Sequence, residues 1–138
     1  MPITHHSQLV CYQLGARLRE AVYEETARPG WQKDWKLRDD LRRAARSVPT
    51  NISEGYWRYH HRDFAHFLDI ALGSLGETED HLETAFVDRI IEEAPKATLV
   101  ALIRETRAPT LNLRDYLSRT TAPPRTHKPS RPLSPKPR

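Results

Sequence analysis

The feature that most constrains the fold is an apolar stripe that passes through a proline without losing phase. Leu37, Leu41, Ala44 or Ala45, Val48 and Ile52 recur at gaps of three and four, the spacing that lines one face of a helix. Pro49 lies inside this run. It has no N–H, and its ring crowds the carbonyl four residues back, so it should break or bend a helix. The unbroken phase predicts one helix from about Trp35 to Gly55, bent at Pro49, with Gly55 as its stop. Arg42, Arg43 and Arg46 fall mostly off the stripe.

The same spacing predicts three more helices. The first should start near Ser7 as N-cap, bury Val10, Leu14, Leu18, Ala21 and Val22, and end before Arg28-Pro29-Gly30. The third, from about Arg62 to Arg89, carries Phe64, Leu68, Ala71, Leu75, Thr78, Leu82, Ala85 and Phe86 in a near-heptad seam. Gly73, Ser74 and Gly76 interrupt it with small side chains, which predicts a close backbone approach there. Its other face is acidic, with Asp69, Glu77, Asp80, Glu83 and Asp88. The fourth has Pro95 in its first turn, then Leu99, Leu102 or Ile103, Thr106, Leu113 and Leu117. Pro109 should kink or split it. Scarce Val and Ile beside plentiful Leu, Ala, Arg and Glu agree with an all-α chain. The expected division is a four-helix bundle over residues 1–120 and a tail over 121–138. Six of the last eighteen residues are proline, so that tail is expected to be disordered, with extended polyproline segments.

Two junctions carry aromatic residues whose role the pattern leaves open. Asp34 reads as the cap of the second helix, and Trp31 and Trp35 either cover the bundle end or form a stacking surface for bases. The connection Tyr56-Trp57-Arg58-Tyr59-His60-His61-Arg62 either folds back on the bundle or binds nucleic acid, rings on bases and cations on phosphate.

Charge is strongly segregated. Residues 28–62 carry nine basic and four acidic groups, net +5; residues 63–93 carry one basic and nine acidic, net −8. Residues 94–120 return to net +3, and the tail adds five cations and no acid. Neighbouring helices of opposite charge can neutralise one another, or the basic segment can offer a face to a partner. The candidate nucleic-acid-binding residues are therefore Arg38, Arg42, Arg43, Arg46, Arg58 and Arg62, with Arg125, Lys128, Arg131 and Lys136 of the tail.

Several chemistries find no support. The lone Cys11 excludes an internal disulfide and a cysteine metal cluster, which makes a reduced, cytoplasmic setting the expectation. The N-terminus lacks the pattern of a signal peptide, and the run Leu99–Ile103 is far too short to span a bilayer. Asp63-x-x-His66 resembles half of a di-metal site, but Thr78 stands where the acid would precede His81, so the second half is missing. His60 and His61, at a helix start, read as capping or surface groups. There is no Gly-rich phosphate loop and no Gly-x-Ser-x-Gly elbow, and Glu54 has no evident nucleophile to activate. The expectation is a protein without catalytic activity, cofactor or metal.

The letters of two blocks carry a resemblance. Leu41-Arg-Arg-Ala-Ala-Arg-Ser-Val-Pro-Thr-Asn-Ile-Ser-Glu-Gly55 closely resembles the signature of the bacterial four-helix bundle proteins encoded in 23S rRNA intervening sequences. Phe64-Ala-His-Phe-Leu-Asp-Ile-Ala-Leu-Gly-Ser-Leu-Gly-Glu-Thr-Glu79 looks like that family's second block. The accessory variability determinant proteins of diversity-generating retroelements look like relatives. The resemblance covers roughly residues 7–118 and implies an up-and-down antiparallel four-helix bundle, assembled as a homopentamer without catalytic activity. For the retroelement relatives it implies a basic surface that binds RNA or DNA and a partner reverse transcriptase. By that analogy Arg42, Arg43 and Arg46 form the candidate surface, while Pro49, Asn51, Glu54, Gly55, Gly73 and Ser74 are structural positions. The leading expectation is a nucleic-acid-associated accessory protein. The alternative is an assembly or scaffold protein that binds no nucleic acid.

Overall fold

A computed structural model describes residues 2–120, and Arg125, Lys128, Arg131 and Lys136 lie outside the described residues. Four α-helices account for most of the described chain: α1 Val10–Thr26, α2 Trp35–Tyr56, α3 His61–Val87 and α4 Glu93–Arg119. Each packs on the next, and α1 also packs on α4, which closes the ring of an up-and-down bundle. Its antiparallel register is read from pairs that run in opposite directions along neighbours. Arg42 and Arg46 of α2 reach Thr26 and Tyr23 of α1. Arg114 of α4 reaches Asp69 of α3, whereas Lys96 reaches Glu83.

The stripes predicted for α2 and α3 form most of the core. Leu41, Ala45, Val48, Ile52, Leu68, Ala71, Leu75, Leu82 and Ala85 are fully buried. Pro49 does not end α2, and Pro109 does not split α4; each lies inside a single continuous helix. At Pro49 the small residue is supplied from opposite. A Cβ on Gly15 of α1 would lie 3.1 Å from Val48 Cγ1 and 3.5 Å from the Pro49 nitrogen. Two residues to either side of the proline, Asn51 Nδ2 donates to the Ser47 carbonyl and to Ser47 Oγ, both at 2.8 Å, and Ser47 Oγ lies 2.8 Å from Ser74 Oγ. Ser47, held by Asn51, and Ser74 thus tie α2 to α3 beside the proline, where one backbone hydrogen bond is lost.

Several expectations are corrected. Gly55 is not a stop but a contact: it lies within α2, and a Cβ there would come within 2.8 Å of both Phe64 Cδ1 and Phe67 Cβ of α3. Gly73 and Gly76 make no close approach; both are exposed, and a Cβ added at either would meet nothing within 4 Å, so only Ser74 of that trio packs inward. Glu54 is exposed and bonds Arg58 at 2.8 Å. Ser7 does not cap α1. A 3-10 turn, His6–Gln8, comes first, closed by His5 Nδ1 accepting from the Ser7 N–H and Gln8 Oε1 accepting from the His5 N–H. The helix then starts at Val10, which leaves Val10 59 % exposed and gives its core slot to Cys11. Burial pushes the Cys11 thiol up to about 11, so it stays protonated at neutral pH. Phe86, at the end of α3, is partly exposed, with Lys96 Nζ 4.4 Å above its ring. His61 is neither a cap nor a surface group: it is buried, with Nδ1 2.6 Å from Thr120 Oγ1, and pins the end of α4 to the start of α3.

The aromatic connection after α2 folds back on the protein in part. Tyr56 is buried and its hydroxyl donates to the Ile3 carbonyl; Trp57 Nε1 donates to His6 Nδ1 at 2.9 Å. The N-terminal segment therefore lies against the α2–α3 turn. No helix among the described residues is long and apolar enough to cross a membrane.

Candidate nucleic-acid interface

The charge segregation leaves open which helix neutralises acidic α3. In the structure it is α4. Arg114 Nε meets Asp69 at 2.8 Å, Arg104 and Arg107 approach the two oxygens of Glu79, and Lys96 pairs with Glu83. The Arg114 guanidinium is raised above its ordinary value by hydrogen bonds to Asp115 and Asp69. The +3 of the fourth segment is thus set against the −8 of the third. From α2, Asp40 and the residues around it reach toward α3. Desolvation pushes the Asp40 carboxyl up, but Lys36, Arg43 and His81 outweigh it and hold it below the usual carboxylate value.

This separates the arginines of α2 by edge. Arg43 lies on the α3 side, paired with Asp40. Arg38, Arg42 and Arg46 follow one another every four residues along the α1 side, as the helical repeat requires. Arg42 donates from Nε to Thr26 Oγ1 at 2.7 Å, with its guanidinium 4.8 Å from the centre of the Tyr23 ring. Arg46 donates to the Tyr23 hydroxyl at 3.2 Å. Both anchors are neutral. A guanidinium has five N–H donors, so each of these keeps most of its donors and all of its charge. Arg38 stacks 4.1 Å over the Trp35 ring and bonds Asp39 at 3.1 and 3.2 Å.

The other candidate cations stand apart from this edge. Arg58, at the end of the bundle, is paired with Glu54 and lies 4.8 Å over Phe67. Arg62 is exposed and borders an open groove on the α4 side, shared with His60, His66, Asp69 and Thr120. The sequence pattern thus named the three cations that the fold aligns, and three others that it disperses. It missed Tyr23 and Thr26, which hold the arginines in place. Their signal was available: both lie on α1 near Arg28-Pro29-Gly30, the turn that must bring α1 back against α2. Among the described residues no group of three His, Cys, Asp or Glu side chains could hold a metal ion.

The fold and this edge define an antiparallel four-helix bundle whose basic second helix holds two arginines, Arg42 and Arg46, with no ion pair among the described residues. The chain belongs to the 23S rRNA-intervening sequence protein family, whose model matches residues 7–110. A crystal structure of a protein of unknown function from the S23 ribosomal protein family of Bacteroides thetaiotaomicron has the same fold. It is 20 % identical, with a TM-score of 0.70 over 76 % of this chain and 98 % of that one. No curated protein matches the chain.

Proposed function

We propose that this bundle is a non-enzymatic accessory protein that binds RNA or DNA through the α1-facing edge of α2. The observation that carries the reading is the pairing of Arg42 and Arg46 with Tyr23 and Thr26, neutral groups that position the guanidinium groups without cancelling them. Cations held this way meet phosphate oxygens at little cost in side-chain entropy. Binding of this kind is electrostatic and falls steeply with salt. Arg42→Gln with Arg46→Gln tests it in titrations of RNA and DNA oligonucleotides at two salt concentrations. The double variant should bind more weakly and lose about two from the slope of log affinity against log salt. Unchanged affinity and slope would remove the α2 edge from the account. If deletion of 121–138 alone abolished binding, the tail cations Arg125, Lys128, Arg131 and Lys136 would be the carriers.

A second reading, an assembly module that binds no nucleic acid, is favoured by a separate observation. The outer face of α3 leaves Asp80 exposed with no ion pair among the described residues, and Glu77 has only His81, 3.8 Å away. A basic edge of another copy complements that face. The family resemblance supports a homo-oligomer, and the pentamer it implies is checked by mass in solution. An intact oligomer with no affinity for nucleic acid at low salt selects this second reading. A reverse transcriptase partner rests on the resemblance to the retroelement relatives, and co-purification tests it.

A further inference from the structure

The two tryptophans on either side of Asp34, the cap of α2, have opposite fates: Trp31 lies in the 3-10 turn Pro29–Lys33 and Trp35 opens the helix. Trp31 is 1 % exposed and belongs to the core; Trp35, one turn later, is 57 % exposed. An isolated exposed apolar side chain is ordinary. Trp35 is not isolated in its chemistry, because it begins the edge that carries Arg42 and Arg46, which have no ion pair among the described residues. The Arg38 guanidinium lies 4.1 Å above its ring and is itself fixed by two hydrogen bonds to Asp39. The ring is therefore backed on one side by an oriented cation, and its exposed area offers an indole surface on the same edge as Arg42 and Arg46, about two and three turns away.

We infer that Trp35, backed by Arg38, is a stacking site for an unpaired base, so that the edge takes single-stranded in preference to double-stranded nucleic acid. The inference rests on the nucleic-acid reading above and specifies its ligand. Trp35, Arg38, Arg42 and Arg46 are spaced by three, four and four residues, so they rise along α2 in steps of about 5–6 Å. That is a row on a single helix of one ring, a cation already paired with Asp39 and two cations with no ion pair among the described residues, with a stride comparable to the repeat of an extended sugar–phosphate chain. A single strand can place one base on the ring and phosphates on Arg42 and Arg46, because every base presents a face for stacking once unpaired. A duplex hides its base faces in the stack and offers only its phosphates to the same row. Tyr23 adds no second platform, since unlike Trp35 it is half-buried, with Arg42 over its ring and Arg46 on its hydroxyl.

The test uses the full chain and fluorescently labelled oligonucleotides, a single strand of mixed sequence and a duplex of equal length, at two salt concentrations. Wild type should bind the single strand more tightly. Trp35→Ala should weaken the single strand about tenfold or more, leave the duplex unchanged, and leave the salt slope unchanged, because no phosphate contact is lost. Tryptophan emission should be quenched by the single strand in wild type and in Trp57→Phe but not in Trp35→Phe, a readout that does not depend on the alanine variant folding. Equal affinity for the two forms, an unaffected Trp35→Ala, or quenching that persists in Trp35→Phe would each overturn the inference. If Arg42→Gln with Arg46→Gln then still weakened binding, the electrostatic reading would stand without it. Absence of binding to either form would dismiss both.

Discussion

Replacing Gly55 by alanine should destabilise the bundle, although the same change in a helix normally does the opposite. Alanine is favoured over glycine inside a helix by about 0.5–1 kcal/mol, because glycine loses more backbone freedom. At Gly55 the new methyl would sit 2.8 Å from Phe64 Cδ1, 2.8 Å from Phe67 Cβ and 3.2 Å from the Phe64 carbonyl oxygen. A Cβ and a carbonyl cannot swing aside as the end of a long side chain can, so the helices α2 and α3 must move apart. Overpacking of this kind costs about 1–3 kcal/mol. The net expectation is a loss of about 1–2 kcal/mol, and a fall in Tm of roughly 3–6 °C per kcal/mol for a domain of this size. Gly73→Ala and Gly76→Ala supply the internal control. Both positions are helical and exposed with nothing within 4 Å, so each should gain about 0.5–1 kcal/mol. Urea unfolding followed by far-UV circular dichroism, at several protein concentrations to separate folding from assembly, measures all three. Gly55→Ala at or above wild-type stability would refute the reasoning, as would loss of stability at Gly73 or Gly76.

Two further outcomes follow from the ends of the elements. Arg89 has φ 60°, and the Ile90 N–H reaches the Ala85 carbonyl at 2.8 Å, a Schellman ending whose left-handed position is usually glycine. Arg89→Gly should therefore stabilise the protein by about 0.5–1 kcal/mol in the same unfolding assay, and a loss would show that the arginine side chain matters more than its backbone. Desolvation, with the neighbouring His5 charge, lowers His6 from its ordinary 6.5, and Nδ1 accepts from Trp57 Nε1. The unfolded segment thus binds a proton before the docked one does, and docking is fully favoured above pH 6.5 and weakens as pH falls through the lowered value. Trp57 emission should shift toward that of an exposed indole as pH falls from about 7 to about 5, and His6→Phe should abolish the transition; a persistent transition would assign it to another histidine.

Much of the architecture was legible because its cause is local and periodic. Ile52 and Leu82 announce their burial by spacing alone, and Pro49 could be kept inside a helix because the stripe held phase across it. The failures have a common physical form: each depended on what another element places opposite. Gly55 and Gly73 look alike in the sequence, yet one faces Phe64 and the other faces solvent. Val10 lost its core slot because a 3-10 turn held by His5 and Gln8 delays the start of α1. The candidate site shows the same split. The spacing of Arg38, Arg42 and Arg46 set them on one edge, but that Arg42 and Arg46 meet no carboxylate among the described residues depends on α1 placing Tyr23 and Thr26 opposite them.

The clasp between His61 and Thr120 fixes a point of departure. Thr120, the last described residue, stands at the end where α3 begins, whereas Trp35 stands at the opposite end of α2, about 30 Å away. The sequence continues for eighteen residues past Thr120, a length that can span at most about 60 Å when fully extended, so Arg131, Lys136 and Arg138 have reach enough to come alongside the α2 edge. Attachment at both places would act as bivalency on one strand, with the second contact made at the effective concentration set by that tether. A strand long enough to touch both would then bind out of proportion to its added charge. The occluded length, the shortest oligonucleotide that reaches full affinity, becomes a ruler laid along the bundle.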